Sequence, residues 1–198
     1  MSRTSTARLA PGDTAPALQL PAIDGRTFDV ASLAGRPYLL SFFRFASCPF
    51  CNLRVHELVQ RFSELGGRAS IVAVFDSPLE NLQRHAQRHA APFPILADET
   101  GGAYRAYAIE RSLSGTLMGM TRRAPTLLRA MARGYVPTSL KGSFITMPAD
   151  FLIDEAGVVQ TAYYGRDEGD HLAFDVAVRF SRGERIAQDA LAATGGVR

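Results

Sequence analysis

Two cysteines, Cys48 and Cys51, stand three positions apart and are the only cysteines among 198 residues. Two thiols at this spacing can form a reversible disulfide, attack an oxidised sulfur or a peroxide, or ligate a metal. A disulfide that closes so small a loop would stabilise the fold little, because cross-link stabilisation grows with loop length. The pair therefore indicates redox chemistry or metal binding rather than a structural staple.

A zinc site would need four ligands, and the sequence has no second cysteine pair. The missing ligands would have to come from the four histidines, His56, His85, His89 and His171. His85 and His89 have the i, i+4 spacing of two ligands on a helix, but no metalloprotease-type carboxylate accompanies them. We interpret these two as a solvated face and expect no metal site.

The elements around the pair place Cys48 at the start of a helix. Tyr38 to Phe43 is a continuous apolar run, typical of a buried strand, and residues 53–65 carry apolar side chains at helical spacing. Pro49 suits a first helical turn, where its missing N–H costs nothing. Unpaired N–H groups and the helix dipole there favour a thiolate, so we expect a lowered pKa for Cys48. Cys51 lies one turn further on, and greater burial should keep it a thiol.

Arg44 and Arg54 flank the pair and could add positive potential, and Ser47 is adjacent to Cys48. The expected cycle has two steps. Cys48 attacks an oxidised sulfur or a peroxide oxygen, and Cys51 then resolves the mixed disulfide or sulfenic acid. An external reductant must restore the dithiol.

The other elements alternate between strand and helix. An N-terminal hairpin turns at Asp24-Gly25. Further strands are predicted at residues 70–75, 93–96, 151–153 and 158–164. Further helices are predicted to begin near Ser77 and His171, and a last helix to end near Ala193. Ser77-Pro78-Leu79-Glu80 has the residues of a capping box. The order predicts an α/β fold in which helices flank a central mixed sheet.

Residues 103–141 interrupt this alternation and form a helical insertion before the Met147-Pro148 strand. The segment carries six arginines and one lysine against a single acid, Glu110. Two interpretations of its apolar residues stay open: they pack the insertion onto the domain, or they line a substrate mouth or a partner surface. Two interpretations of its arginines also stay open: they form a solvated face, or they attract anionic ligands or a membrane surface.

Composition predicts one domain over residues 1–198, with residues 1–10 as a mobile tail. A net charge of +3 without a long basic run gives no support for nucleic-acid binding. The sequence contains no apolar stretch long enough to cross a membrane. The N-terminal residues lack the apolar core of a signal peptide, so a cytoplasmic location is expected.

Several motifs resemble those of a known family. They are Pro11-Gly12-Asp13-Thr14-Ala15-Pro16, Leu33-Ala34-Gly35-Arg36-Pro37, Cys48-Pro49-Phe50-Cys51-Asn52-Leu53-Arg54 and Phe151-Leu152-Ile153-Asp154-Glu155-Ala156-Gly157. They are similar to the alkyl hydroperoxide reductase/thiol-specific antioxidant family of the thioredoxin-like superfamily, and the similarity covers roughly residues 9–100 and 145–165. The resemblance implies a peroxiredoxin-like enzyme with a redox-active disulfide and no prosthetic group. It also implies a thioredoxin or glutathione system as reductant and a peroxide or disulfide as substrate. Edge strands and the insertion could both mediate a homodimer.

Two features depart from the pattern of that family. A typical member has Pro-x-x-x-Thr/Ser-x-x-Cys before its peroxidatic cysteine, and Ser41 and Phe45 occupy the first two of those places. An active-site arginine beside the later strand is also not evident. Met147-Pro148 instead resembles the cis-proline of thioredoxins, which lies opposite the cysteine pair and receives an extended peptide. We therefore expect Ser47, Pro49, Arg54, Met147 and Pro148 to support the site.

Three functions fit these observations. The first is a thiol-disulfide oxidoreductase that reduces disulfides or hydroperoxides through Cys48 and Cys51. The second is a dedicated hydroperoxide reductase with Cys48 peroxidatic and Cys51 resolving. The third, of a different class, is a non-catalytic redox sensor or binding module on the same fold.

Overall fold

The computed structural model describes residues 7–112, 123–135 and 145–186. The strands are β1 (Gln19–Pro21), β2 (Thr27–Asp29), β3 (Tyr38–Phe43), β4 (Ser70–Phe75), β5 (Ile95–Ala97), β6 (Ala149–Ile153) and β7 (Val159–Tyr164). The α-helices are α1 (Pro49–Arg61), α2 (Leu79–Ala86), α3 (Gly102–Ala106), α4 (Ala124–Ala132) and α5 (Phe174–Ser181). Short 3₁₀ helices cover Val30–Leu33, Phe62–Leu65 and Gln87–His89.

The central sheet has the strand order β5-β4-β3-β6-β7. Strands β3, β4 and β5 run parallel to one another. Strand β6 is antiparallel to β3, and β7 is antiparallel to β6. The hairpin of β1 and β2 forms a separate two-stranded sheet. This is the mixed sheet with an N-terminal hairpin that the sequence predicts.

Strand β3 lies at the centre of the sheet, and all six of its residues are buried. Its side chains alternate between two apolar clusters, one on each face of the sheet. Leu39 and Phe43 belong to the cluster that also contains both cysteines and the buried face of α1. Leu40 and Phe42 belong to the opposite cluster, which includes Tyr104 and Tyr107. Because both faces are covered, the strand consists of consecutive apolar residues with one serine rather than an alternating pattern.

Two local predictions were wrong. Ser77 does not cap α2: Pro78 is the N-cap residue, and the Ser77 hydroxyl accepts from Asn81 Nδ2 at 3.0 Å instead. Helix α5 begins at Phe174, because Leu172 and His171 are bound to a carboxylate of the sheet.

The predicted N-terminal tail, residues 1–10, is described from residue 7 onward. Leu9 N donates to the Tyr164 hydroxyl at 2.9 Å, and Arg8 pairs with Glu110. Both contacts attach this segment to the body of the protein.

The insertion at 103–141 is described in part. Helix α4 and most of α3 fall inside it, and the predicted last helix lies mostly outside the described residues. In the part of the chain that the structure describes, no helix is long and apolar enough to cross a membrane.

Candidate active site

Cys48 lies where strand β3 has ended and helix α1 begins. It is the N-cap residue of α1, with an extended backbone (φ −61°, ψ 121°), and Pro49 occupies the first helical turn. Its carbonyl accepts from Asn52 N at 3.0 Å, which is the first bond of the helix. Both cysteines are free thiols and only 1% exposed. The helix start that the sequence predicts for Cys48 and Pro49 is confirmed.

The two thiols have opposite electrostatic environments. Burial opposes ionisation of Cys48, but a hydrogen bond from Cys51, the charge of Arg44 and two backbone N–H groups outweigh it. The pKa of Cys48 is lowered to about 7. Burial and the neighbouring Cys48 raise the pKa of Cys51 well above its ordinary value. At neutral pH Cys48 is therefore the nucleophile and Cys51 the thiol.

The expected reason for this asymmetry was wrong. Burial is the largest cause of the raised pKa of Cys51, but the two cysteines are equally exposed, so greater burial of Cys51 does not explain the difference between them. The difference comes from the pair itself, because Cys51 donates a hydrogen bond to Cys48 and faces its negative charge.

Arg44 is the cation that acts on the thiols. Its side chain is 3% exposed and its guanidinium lies 5.5 Å from the centre of the Phe45 ring. Its Nε and Nη2 atoms have no hydrogen-bond partner among the described residues. A buried cation with unused donors is costly, and such groups concentrate at functional sites.

Arg54 is held by hydrogen bonds to a side chain of α1 and to the segment before α5. Its Nη1 donates to Glu57 Oε2 at 2.8 Å and its Nη2 donates to the carbonyl of Leu172 at 2.6 Å. Its charge also contributes to lowering the pKa of Asp150. Arg54 thus braces α1 against the segment before α5.

The Met147–Pro148 peptide bond is trans, so the predicted cis-proline is wrong. Met147 N donates to the carbonyl of Glu110, and the Pro148 carbonyl accepts from Gly165 N at 2.9 Å. A Cβ atom at Gly165 would lie only 2.8 Å from Pro148 Cγ. Pro148 is therefore packed against the chain that follows β7, and the expected peptide-receiving edge of a thioredoxin-type site is not formed.

Phe45 and Ser47 are both buried in the turn before Cys48. Phe45 places an aromatic ring, not a hydroxyl, at its position. Ser41 is also diverted, because its hydroxyl donates to Asp150 Oδ1 at 2.6 Å in the core.

Asp150 holds the segment before α5 to the sheet. Its Oδ2 lies 3.0 Å from His171 Nδ1 and accepts from Leu172 N at 2.7 Å. Burial opposes its ionisation, but His171, Arg54 and Ser41 outweigh it and lower the pKa of Asp150. This network links β3, β6 and the segment before α5.

Asn52 is a site residue that sequence reasoning missed. Its Nδ2 donates to the carbonyls of Ala46 and Cys48, at 2.8 and 2.9 Å. Its Oδ1 lies 2.9 Å from Nε2 of His89, which is buried and not on a solvated face. A polar residue on the buried face of α1 was the signal available for it.

The loop between β7 and α5 packs against the start of α1. A Cβ atom at Gly169 would lie 3.4 Å from Phe50 Cδ1 and 3.0 Å from Arg123 Cδ. Arg123, the N-cap residue of α4, pairs with Asp167 at 2.6 Å.

Within residues 7–112, 123–135 and 145–186, no group of three or more His, Cys, Asp or Glu side chains could hold a metal ion.

Residues 11–162 match the model of the AhpC/TSA family. The chain belongs to the AhpC/TSA family. It is a peroxiredoxin-like, thiol-dependent oxidoreductase on a thioredoxin-like fold, as its motifs implied.

A protein of Mycobacterium tuberculosis named as a peroxiredoxin is 25% identical to this peroxiredoxin-like chain over 174 residues, which cover 86% of this chain and 94% of the relative. Among solved structures, peroxidoxin BcpB of Mycobacterium tuberculosis superposes with a TM-score of 0.63 at 20% identity, covering 89% of this chain and 98% of that one. Peroxiredoxin 6 of Arenicola marina gives a TM-score of 0.65 at 12% identity, covering 88% and 72% of the two chains. The two structures share the fold of this protein.

Proposed function

We propose that this protein is a hydroperoxide reductase in which Cys48 is the peroxidatic and Cys51 the resolving cysteine. The observation that carries the proposal is the pair of opposed thiols, with the pKa of Cys48 lowered to about 7 and that of Cys51 raised. Family membership and the trans Met147–Pro148 bond support a peroxide, rather than an extended peptide, as the substrate.

The cycle balances with a hydroperoxide and a dithiol reductant. The Cys48 thiolate attacks the terminal oxygen, the S–O bond forms, the O–O bond breaks, and the leaving alkoxide takes a proton. Sulfur is oxidised to the sulfenic acid, and the peroxide is reduced to an alcohol. Cys51 then displaces water and forms the Cys48–Cys51 disulfide. An external dithiol of the thioredoxin type, or glutathione, reduces that disulfide and closes the cycle.

The resolving step needs little rearrangement. Cys51 is already hydrogen-bonded to Cys48 and lies in the first turn of α1. Cysteines i and i+3 at a helix start are close enough to bridge. We expect the sulfenic acid to be short-lived in the wild-type protein.

The test compares three oxidants on the fully reduced protein: hydrogen peroxide, cumene hydroperoxide and a small-molecule disulfide. Formation of the Cys48–Cys51 disulfide is timed by rapid quenching and mass spectrometry. We expect a peroxide to oxidise the protein much faster than it oxidises free cysteine. Fast oxidation by the disulfide alone would select a disulfide reductase, and slow oxidation by all three would select the redox sensor or binding module.

Two serine variants test the roles of the cysteines. Cys48→Ser should abolish peroxide consumption, because the remaining thiol has a raised pKa. Cys51→Ser should still consume about one equivalent of peroxide and stop at the sulfenic acid, which a dimedone adduct reports. The reverse pattern would overturn the assignment. Purified thioredoxin and glutathione, tested separately as electron donors, identify the reductant. The cytoplasmic location stays a prediction.

A further inference from the structure

Glu168 is a buried carboxylate that the two-cysteine mechanism leaves unused. It lies in the loop between β7 and α5 and is only 1% exposed. Apart from its own backbone N–H, neither carboxylate oxygen has a hydrogen-bond partner among the described residues. Buried polar groups in native proteins nearly always have partners, so an orphaned carboxylate needs an explanation.

The loop places Glu168 close to the reactive turn. The next residue, Gly169, packs against the ring of Phe50, whose backbone N–H favours the Cys48 thiolate. The charge of Arg44 acts on both Cys48 and Glu168, so the guanidinium lies within electrostatic reach of the thiolate and of the carboxyl. Arg44 and Glu168 nevertheless form no ion pair within 4.0 Å among the described residues.

Arg44 thus has unused donors, Glu168 has unused oxygens, and the charge of Arg44 acts on both Glu168 and Cys48. The chemistry of these two groups suits a hydroperoxide, because its oxygens accept hydrogen bonds and its reduction requires a proton. Neither a simple disulfide nor an apolar ligand would use both groups. Arg44 and Glu168 therefore offer the polar partners that Phe45 cannot supply.

The charge state of Glu168 is compatible with giving a proton. Burial raises the pKa of its carboxyl above the ordinary value. The charged groups that face it are Arg44 from the end of β3, Arg123 from the start of α4 and Asp167 of its own loop. The two arginines partly oppose the rise, and Asp167 adds to it.

Building on the proposed function, we propose that Glu168 is the general acid that protonates the leaving oxygen of the hydroperoxide while Arg44 binds the peroxide. The Cys48 sulfur bonds to the terminal oxygen, the O–O bond breaks, and the departing oxygen takes the carboxyl proton. The products are the Cys48 sulfenic acid, an alcohol and the Glu168 carboxylate. The carboxylate regains its proton from water before the next turnover.

The decisive variant is Glu168→Gln, which keeps the shape of the side chain and removes the proton. The oxidants are cumene hydroperoxide, whose leaving alkoxide needs a proton, and a peracid, whose leaving carboxylate does not. Loss of a general acid lowers a rate roughly 10²–10⁴-fold. We expect a loss of that order with cumene hydroperoxide and little change with the peracid. Rescue by Glu168→Asp should be partial.

Two controls separate this role from a structural one. The exposed Glu155→Gln, in the turn between β6 and β7, should leave both rates unchanged. Thiolate absorbance should show the same pKa of Cys48 in Glu168→Gln as in the wild type. Equal rates for wild type and Glu168→Gln with cumene hydroperoxide, or equal losses with both oxidants, would overturn the proposal alone. A wild-type protein that no peroxide oxidises would overturn the proposed function as well.

Discussion

At the scale of single residues, Arg44 shows how a buried charge is used for reactivity. Its guanidinium lacks partners at Nε and Nη2, so burying it costs stability. The same charge favours the Cys48 thiolate across a medium that screens poorly. Arg44 therefore favours the reactive Cys48 thiolate and does not stabilise the fold.

Arg44→Met should separate these two effects, because methionine keeps much of the side-chain volume and lacks the charge. We expect the pKa of Cys48 to rise from about 7 toward that of an ordinary cysteine. The free energy of unfolding should not fall, since replacing a poorly paired buried charge by an apolar group is often neutral or stabilising. Thiolate absorbance against pH and urea unfolding measure the two quantities.

Arg84→Met is the matched control for Arg44→Met, because Arg84 is exposed and pairs with Glu80 on α2. It should leave the pKa of Cys48 unchanged. A Cys48 pKa that stays near 7 in Arg44→Met would show that the helix start and Cys51 suffice without the cation.

At the scale of elements, Asn52 ties the turn before α1 to the helix itself. Its amide donates to the carbonyls of Ala46 and Cys48, of which the Cys48 carbonyl also accepts from Asn52 N. The turn is thereby held in the conformation that presents Cys48 at the helix start.

Asn52→Ala should lower both stability and reactivity. Leaving buried polar groups unpaired costs roughly 1–3 kcal/mol each, so we expect a loss of about that size in the free energy of unfolding. We also expect slower peroxide oxidation of Cys48. Asn81→Ala is the control, because buried Asn81 bonds Ser77 at the start of α2. It should reduce stability and leave the oxidation rate unchanged; equal effects on the rate would show that Asn52 acts only through stability.

Local patterns predicted the elements well, because burial on both faces of β3 and helical spacing in α1 depend on neighbouring residues. Asn52, Asp150 and Glu168 were not predicted as parts of a site, since their partners come from distant segments. His89 is buried because Tyr135 and Asn52 cover it, and helical periodicity does not identify such partners. The cis-proline was inferred from a two-residue resemblance, and the Met147–Pro148 bond is trans in the structure.

At the scale of the whole molecule, His89 couples folding to pH. Burial, followed by the charges of Arg88 and His56, lowers the pKa of His89 to about 4 from an ordinary value near 6.5. Below about pH 6.5 His89 is protonated in the unfolded chain, whereas in the folded protein it stays neutral until the pH falls to about 4. Stability therefore falls as pH falls through this window and is fully present above it.

His89→Gln should remove this pH dependence while an amide still donates to Asn52 Oδ1. A difference of about 2.5 in pKa corresponds to roughly 3 kcal/mol. Urea unfolding at pH 7 and pH 4 should therefore show a smaller acid-induced loss in the variant than in the wild type. His85→Gln, near the end of α2 and only half-buried, is the comparison. Parallel stability curves for wild type and His89→Gln would show that the acid sensitivity comes from carboxylates instead. A curve flattened only by His89→Gln would locate the sensitivity at the contact between His89 and Asn52, directly behind the reactive turn.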